Sequence, residues 1–546
     1  MPPEAALTAF PSTTAGDAAG PATPERGRGT PVPDPVEPGP SPLPGAPAEP
    51  GAEARTRARA PSKQNSLGRK AVRGGLWTAF GFGGGQFLRL LSNVLLAQVL
   101  LTGDFGLMGM VSVVLAGLLM FSDIGIGPAV IQNERTDPAF LNTAWTIQVV
   151  RGFLLWGGAA LLSFPVAAFF NAPELRWVLP VAAATAAIQG LQSTNWFSAN
   201  RSLSVRGMML IELGTTVVQV VVMVSWAYGV DASVWALVVG GLASTAFHTA
   251  LSHALPGIRN RLAFERKAAG ELIHFGKWLF LSTIVTFFAM HLDKLFLGAF
   301  MTTGAFGVYY IGQQLANLGP TLAAKVAQMV GFPALSEVHR GRAAEFNRLF
   351  LKLRLASVLP MVAVLVLLVL LGPSLFYLLY PVPMWGAGWI VQVLAIAGMT
   401  SLVNVGYGNA FMAKGNTFFN MLTVSIQVAV TAVCVSVGYF LAGETGFLLG
   451  LGVLQLVRHP FDAFLANRLG CWQPRFDLPV LVGIVLLSLA ALWGSQALTP
   501  ASVRLGVQVR AAATELKASV KDAVGLADGP EEAAEGEGPG APGAPG

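Results

Sequence analysis

Long apolar runs separated by short polar connections follow one another along most of the chain. Thirteen of these runs are close to the roughly 20 residues that cross the hydrocarbon of a bilayer. They predict helices at 74–100, 105–129, 142–170, 177–197, 207–228, 233–255, 274–300, 304–330, 355–379, 386–412, 417–441, 445–465 and 478–499. Because unpaired backbone groups are not tolerated in lipid, the short connections are expected to be helix-to-helix turns. The pattern predicts an all-α polytopic membrane protein with twelve spans plus one.

One turn sequence occurs twice. The stretch LAQVLLTGDFGLMGM (Leu96–Met110) aligns with LGAFMTTGAFGVYYI (Leu297–Ile311), and the shared T-G-x-F-G begins at Thr102 and at Thr303. Six predicted spans separate the two turns, so the two halves have the same orientation in the membrane. This is the parallel kind of repeat, whose axis lies along the membrane normal. We therefore expect two six-helix lobes related by a pseudo-two-fold axis along that normal.

The repeat and the changes in composition divide the chain into segments. We expect a cytoplasmic Pro/Ala-rich tail at 1–68, an N-lobe at 69–255, an inter-lobe linker at 256–273, a C-lobe at 274–467, an extra transmembrane helix at 478–499, an amphipathic segment at 500–526 and an acidic Gly/Pro tail at 527–546. Both tails are too poor in large apolar residues to offset their ordering entropy, so disorder is predicted there. An interfacial helix, a re-entrant segment and a missed span all remain open for 500–526, and so does the side of the C-terminus.

Charge sets the expected orientation. The chain is 53% hydrophobic with a mean hydropathy of +0.59, and only 12% of its residues are charged, against about a quarter in soluble proteins. Alternate loops, counted from the second, hold 15 Lys and Arg residues, whereas the opposite loops hold one, Arg176. Cytoplasmic loops are enriched in Lys and Arg, which predicts a cytoplasmic N-terminus and places both T-G-x-F-G turns outside. The basic residues lie between apolar runs rather than in one patch, so no nucleic-acid partner is expected.

The loops carry no sign of catalysis. None is longer than about twenty residues, and no G-x-x-x-x-G-K-[ST] motif for nucleotide phosphates occurs. The two cysteines, Cys434 and Cys471, lie far apart and form no Cys/His zinc pattern. We expect a transporter rather than an enzyme, with neither a cofactor nor a metal.

Charged residues near the middle of a predicted span are the first candidates for function. A charge at the bilayer centre costs roughly 2.5–3.5 kcal/mol on insertion scales, so its retention needs a reason. Arg89 lies near the middle of the first helix and forms a polar stripe with Gln86 and Asn93. Asp293 and Lys294 lie in the matching first helix of the second half. The pattern predicts that these groups face one polar cavity between the lobes, with Asp293 and Lys294 partly paired to each other.

Uncharged polar residues extend this prediction. Arg151 lies about a third of the way into the third helix, and further cavity candidates are Gln314, Asn317, Asn404 and Tyr407. The alternative is that such side chains join helices to one another, at under about 1–2 kcal/mol each. For any single amide that alternative is favoured, but their occurrence in both halves supports a cavity.

Three stretches carry a family resemblance. FSDIGIGPAVIQNE (121–134), LDKLFLGAFMTTGAFGVYYIGQQLANLGP (292–320) and VGFPALSEVHRG (330–341) resemble segments of oligosaccharide flippases. These belong to the polysaccharide transporter branch of the multidrug/oligosaccharidyl-lipid/polysaccharide exporter superfamily. The resemblance covers roughly 70–475 and implies two lobes in a V with alternating access. It implies carriage of undecaprenyl-diphosphate-linked oligosaccharide between the leaflets of a bacterial inner membrane. Membrane lipids are then expected partners, and a polysaccharide polymerase or glycosyltransferases are further candidates.

Under this resemblance the polar residues take roles. Arginine is suited to multi-donor phosphate recognition, so Arg89 and Arg151 are the diphosphate candidates, the amides and hydroxyls would bind sugar, and Asp293 with Lys294 are candidates for ion coupling. A multidrug antiporter shares the fold but is expected to favour acidic and aromatic cavity residues. A lipid II flippase is a closer alternative, because its cavity is also cationic. A membrane-bound polymerase or ligase would require a large outer loop, which is absent.

Overall fold

The computed structural model describes residues 81–524, apart from short gaps at 82, 124, 133–134, 136, 202–204, 327–330 and 342–344. The tails predicted at 1–68 and 527–546 lie outside the described residues. Within the described part all regular structure is helical, and nine helices are long and apolar enough to cross a membrane by length and composition. The all-α membrane fold predicted from the sequence is thereby confirmed.

The first half of the chain holds eight helices. They are α1 (83–97), α2 (Thr102–Phe121), α3 (Ile126–Gln132), α4 (Pro138–Phe169), α5 (Leu175–Gly190), α6 (Asn195–Arg201), α7 (Val205–Gly229) and α8 (Val234–His253). Local sequence explains several boundaries. Pro138 begins α4 with Asp137 as its cap, and the Asp137 carboxylate accepts the Phe140 N–H at 3.1 Å. Asp104 in the first T-G-x-F-G turn accepts the N–H groups of Leu101 and Val234, which joins the starts of α2 and α8.

The second half repeats this order and adds one helix. Its helices are α9 (Arg266–Phe300), α10 (Thr303–Ala316), α11 (Leu318–Val326), α12 (Phe332–Gly341), α13 (Phe346–Leu379), α14 (Gly386–Leu402), α15 (Tyr407–Ala413), α16 (Thr417–Arg468) and α17 (Pro474–Val524). Non-helical backbone at Ala442 and Gly443 divides α16 into two spans, and glycine suits this corner because its φ is +57°. Most described residues of the thirteen predicted runs are helical, but non-helical residues interrupt or end several of them, for example at 98–100, 122–123, 191–194 and 403–406.

The two T-G-x-F-G turns meet each other. A Cβ at Gly106 would collide with the Thr303 carbonyl oxygen, and a Cβ at Gly307 would collide with the Thr102 carbonyl oxygen. Glycine at these two positions lets α2 and α10 approach backbone to backbone, in the manner of small-residue contacts between membrane helices. The repeated sequence thus forms the contact between the lobes, near the pseudo-two-fold axis.

Apolar side chains of both lobes also pack together at the end of the molecule where the T-G-x-F-G turns lie. Two hydrophobic clusters contain side chains of both lobes, with Leu107 and Met110 packed with Phe306 in one, and Leu96 and Phe105 packed with Phe376 in the other. The clusters at the opposite end stay within the C-lobe, or within the N-lobe and the beginning of α9. The lobes are therefore sealed at the T-G-x-F-G end, which we call the outer seal because the loop charges predict that this end faces outside.

The last helix is continuous over 51 residues. It includes both the predicted extra span and the segment predicted to be amphipathic, without a break between them. Asp477 near its beginning is buried against the C-lobe, and Arg510 near its end donates to the Tyr377 carbonyl and lies over the Trp385 ring. Since the Gln98 side chain also reaches Leu379 at 2.7 Å, Arg510 lies at the same end as the outer seal.

Candidate functional site

A polar cavity of about 310 Å³ lies between the lobes. We call it the inter-lobe cavity. Helices α1 and α2 line it from one side, and α9 and α10 line it from the other. Its polar lining consists of Gln86, Arg89, Asn93, Ser112, His291, Lys294, Tyr310, Gln313, Gln314 and Asn317. The structure thus brings together seven sequence candidates in or around one space: Gln86, Arg89, Asn93, Lys294, Gln314 and Asn317 in its lining, with Asp293 adjacent in the chain.

The charge of this cavity is one-sided. Arg89 comes from the first helix of the N-lobe and Lys294 from the first helix of the C-lobe, and no carboxylate lies among its described lining residues. Neither side chain has an ion pair or hydrogen-bond partner within the part of the chain that the structure describes. Two cations in a partly desolvated space, with no carboxylate among the described lining residues, favour an anionic ligand.

Two hydrogen bonds cross the cavity from lobe to lobe. Asn93 Nδ2 donates to Gln314 Oε1 at 3.4 Å, and the hydroxyls of Ser112 and Tyr310 are 3.4 Å apart. Both distances are long for hydrogen bonds, so these contacts are weak. The lobes can therefore separate here at little cost, and the polar atoms remain available to a ligand.

Asp293 has a different environment from Lys294. Its Oδ2 accepts the Tyr309 hydroxyl at 2.6 Å and Gln313 Nε2 at 2.5 Å, so its carboxylate lies between α9 and α10. Tyr309 is buried beneath it. Asp293 was predicted to pair partly with Lys294. In the structure its carboxylate instead accepts these two hydrogen bonds within the C-lobe.

A second and larger cavity lies inside the N-lobe. It has a volume of about 860 Å³ and is lined by residues of all eight N-lobe helices. We call it the N-lobe chamber. Arg89 lines this chamber as well as the inter-lobe cavity, so the two spaces meet at its side chain. The chamber was not predicted from the sequence, because its lining is spread over eight helices with only a few polar residues on each.

Arg151 lines the N-lobe chamber but is engaged in protein contacts. Its Nε donates to Ser122 Oγ at 3.0 Å, and its Nη2 donates to the Leu119 carbonyl at 2.7 Å. These acceptors lie at the end of α2, where a cation also interacts favourably with the helix dipole. Asp123 lies 4.0 Å from Nη1. Two of the five N–H donors of Arg151 are therefore already used, and its charge is partly offset by Asp123.

Asn404 and Tyr407 lie away from both cavities, in a buried network of the C-lobe. The Tyr407 hydroxyl donates to Asp477 at 2.5 Å, and Asn404 Oδ1 is 2.9 Å from His459 Nδ1. Arg354 completes the network with an ion pair to Asp477 at 2.7 Å, and their side chains are 1% and 0% exposed. In the sequence, Arg354 directly precedes the predicted span at 355–379 and counts among the basic loop residues. In the structure it lies within α13, which begins at Phe346 and includes that whole span.

Comparisons with known proteins agree with this architecture. The model of a family described as polysaccharide biosynthesis protein matches residues 95–381. The lipopolysaccharide biosynthesis protein WzxC of Escherichia coli K12 is 22% identical over 451 residues, covering 77% of this chain and 89% of that protein.

Two solved structures have the same fold. The lipid II flippase MurJ in an inward closed conformation matches with a TM-score of 0.57 at 13% identity, covering 80% of this chain and 97% of MurJ. An inward-facing multidrug resistance transporter of the MATE family matches with a TM-score of 0.55 at 13% identity, covering 74% and 95% of the two chains. At this identity the likeness shows the fold alone, which has two helical lobes.

Proposed function

Since this chain belongs to the polysaccharide biosynthesis protein family, we propose that it flips undecaprenyl-diphosphate-linked oligosaccharide from the inner to the outer leaflet of a bacterial inner membrane. The family and the fold support the coarser statement, a multi-pass transporter of the flippase type. The substrate, the direction and alternating access are our proposal. So are the cytoplasmic N-terminus and the polymerase or glycosyltransferases as partners.

The observation that carries the proposal is the charge of the inter-lobe cavity. A diphosphate is a dense anion whose oxygens only accept hydrogen bonds from protein donors, and Arg89 and Lys294 offer donors from opposite lobes. A cation, such as a typical multidrug substrate, would meet two positive charges and no carboxylate among the described lining residues. We assign Arg89 and Lys294 to the diphosphate and the neighbouring Gln86, Asn93, Gln314 and Asn317 to polar groups beside it.

Alternating access draws support from the position of the outer seal. The lobes meet where Gly106 and Gly307 cross, and the shared apolar clusters lie at the same end. Because the clusters at the other end stay almost entirely within one lobe, the lobes can separate there without breaking a core. Rocking of the two lobes about an axis in the membrane plane would open one end while closing the other. Asp293 stays our ion-coupling candidate, since protonation would remove its negative charge and weaken the acceptor that Tyr309 and Gln313 share.

The test is neutralisation of each cavity cation. We expect Arg89→Gln and Lys294→Gln each to reduce translocation by about tenfold or more, because a charge-assisted contact contributes roughly 1.5–3 kcal/mol. The measurement is surface polysaccharide, together with lipid-linked oligosaccharide retained in the inner leaflet, in cells that lack their own transporter. Arg176→Gln, at an exposed position in the first turn of α5, is the matched control and should export normally. Normal export by Arg89→Gln and Lys294→Gln at equal protein levels would remove the diphosphate assignment.

A further inference from the structure

The two cavities that meet at Arg89 differ in chemistry. The inter-lobe cavity is basic and has no carboxylate in its described lining, whereas the N-lobe chamber has both signs of charge. Glu212 and Asp123 line the chamber together with Arg89 and Arg151, and Arg151 already interacts with Asp123 and the end of α2. An anionic group therefore gains little by moving from the first space into the second.

The chamber walls carry groups that suit neutral polar ligands. The Gln189 and Gln219 side chains line it, and neither has a hydrogen-bond partner in the described part of the chain. An amide offers two donors and an acceptor, and a carboxylate such as Glu212 accepts only. Sugar hydroxyls both donate and accept, so a wall that mixes free amides with a carboxylate can satisfy many of them at once.

An aromatic group completes this wall. Trp196 lines the chamber with His248, and their rings are 4.6 Å apart in an edge-to-face arrangement that holds the indole in place. An indole combines a large apolar face with a polar N–H, which suits the partly apolar face of a sugar ring. The volume of about 860 Å³ lies near the upper end of ordinary ligand pockets, which are roughly 300–1,000 Å³. This space is too large for a diphosphate alone.

The polar residues described in the C-lobe are arranged differently. There the polar side chains of Arg354, Tyr407 and Asp477 contact one another, and the cavity beside them is about 100 Å³ with a mostly apolar lining. On the N-lobe side, a bulky head group held at Arg89 has a polar space of sufficient size to enter.

We propose that the N-lobe chamber is the glycan-binding site of this transporter. The oligosaccharide of the lipid-linked substrate enters the chamber, where Gln189, Gln219 and Glu212 hydrogen-bond its hydroxyls and Trp196 packs against a sugar ring. The diphosphate stays at Arg89 and Lys294 in the inter-lobe cavity. This inference rests on the proposed function. It assigns diphosphate binding to the two cations of the inter-lobe cavity and sugar selection to the N-lobe chamber.

The experiment compares two probes on the full-length protein in lipid nanodiscs. One is undecaprenyl diphosphate without sugar, and the other is the undecaprenyl-diphosphate-linked repeat unit extracted from producing cells. We expect Trp196→Ala and Gln189→Leu each to weaken binding of the glycosylated probe by about tenfold, the effect of losing one good stacking or hydrogen-bonding contact. Binding of the bare lipid diphosphate should be unchanged in both variants. Trp493→Ala, at a highly exposed position of α17, is the matched control and should bind both probes like the parent.

The Arg89→Gln variant separates this inference from the function on which it rests. If the inference is correct, Arg89→Gln weakens both probes while the chamber variants weaken only the glycosylated one. Chamber variants that bind the glycosylated probe like the parent, or that weaken both probes equally, overturn the glycan assignment and leave the flippase proposal standing. Failure of the parent protein to bind either lipid diphosphate would instead remove the proposed function and the inference with it.

Discussion

The two lobes share one helical plan but use their buried polar residues differently. In the N-lobe, polar side chains of several helices face an open chamber of about 860 Å³. In the C-lobe, Arg354, Tyr407, Asn404 and His459 are closed into a network with Asp477. Asp477 belongs to α17, which has no counterpart in the N-lobe. The extra helix thus supplies the counter-ion of the buried Arg354.

This difference shows how a duplicated fold becomes asymmetric. A lobe with an open polar chamber can bind a polar ligand, whereas a lobe with a satisfied polar network is held rigid. The lobes remain equivalent at the outer seal, where Gly106 and Gly307 have the same contacts. We therefore expect a substitution to have equal effects in the two lobes at the seal, and different effects at the polar residues.

The largest effect is expected in the C-lobe network. Asp477→Ala leaves the buried Arg354 without its counter-ion, which typically costs about 3–5 kcal/mol. Thermal unfolding in detergent, followed by size-exclusion chromatography, should show a strongly lowered midpoint and a low yield of folded protein. The double variant Arg354→Leu/Asp477→Leu should recover much of this loss, because it removes both charges. Asp231→Ala, in the exposed turn before α8, is the control. An Asp477→Ala variant as stable as the parent would show that Asp477 of α17 does not stabilise the C-lobe through Arg354.

Substitutions at the outer seal test whether the two lobes are equivalent there. Gly106→Val and Gly307→Val each force side-chain atoms against a backbone carbonyl, and overpacking of this kind costs about 1–3 kcal/mol. Both variants should open the seal to a similar degree. Labelling of Ser112→Cys by an impermeant maleimide from the outer face, with Cys434 and Cys471 replaced, should rise equally in both. Gly103→Ala makes only an ordinary contact and should label like the parent. A marked difference between the two valine variants would show that the lobes are not equivalent here.

Substitution of Arg151 is expected to lower stability less, and only within the N-lobe. Arg151→Leu removes its contacts with Leu119 and Ser122 at the end of α2, and such helix-end interactions contribute about 0.3–2 kcal/mol. The unfolding midpoint should fall moderately, while binding of undecaprenyl diphosphate by the folded protein is retained. The same substitution at Arg89 should show the opposite pattern. Loss of lipid diphosphate binding in Arg151→Leu, at unchanged stability, would return Arg151 to the diphosphate site.

The smallest effect is expected at a partly exposed ion-pair cluster between the α3–α4 connection and the start of α9. The guanidinium of Arg135 hydrogen-bonds Asp137, and with the Phe140 N–H it lowers the pKa of that carboxyl from 3.8 to about 2. Glu265 and Glu271 also face Arg135. Because the folded pKa lies below the unfolded one, this contribution to stability is complete above about pH 4 and is lost as the pH falls towards 2.

The variant Arg135→Gln should raise the pKa of Asp137 towards its ordinary value. Parent and variant should therefore differ slightly in unfolding midpoint at pH 6, and the difference should shrink as the pH is lowered towards 2. The exposure of the cluster keeps the effect small. Arg176→Gln should show no such pH-dependent difference. A gap between parent and Arg135→Gln that stays constant from pH 6 to pH 2 would mean that Asp137 titrates normally.

Several features were predicted from sequence because they depend on patterns along the chain. Hydropathy predicted the thirteen helices, and the repeated T-G-x-F-G predicted the duplication. The position of Arg89 and Lys294 in matching first helices led to the expectation of one shared cavity, and the structure places both side chains in one. Other assignments depended on which way a side chain faces. Arg151 was a diphosphate candidate and contacts the end of α2, while Asn404 and Tyr407 were cavity candidates and lie in the network with Asp477.

The sequence by itself determined that the chain spans a membrane, that it consists of two parallel halves, and where its central charges lie, because hydrocarbon selects for apolar length and makes each buried charge costly. Only the tertiary structure decided which charges keep free donors. The insertion cost of an arginine is similar whether it later lines a cavity, ends a helix or pairs with a distant aspartate. That choice is made by neighbours from other helices: Asp477 beside Arg354, the end of α2 beside Arg151, and open space beside Arg89.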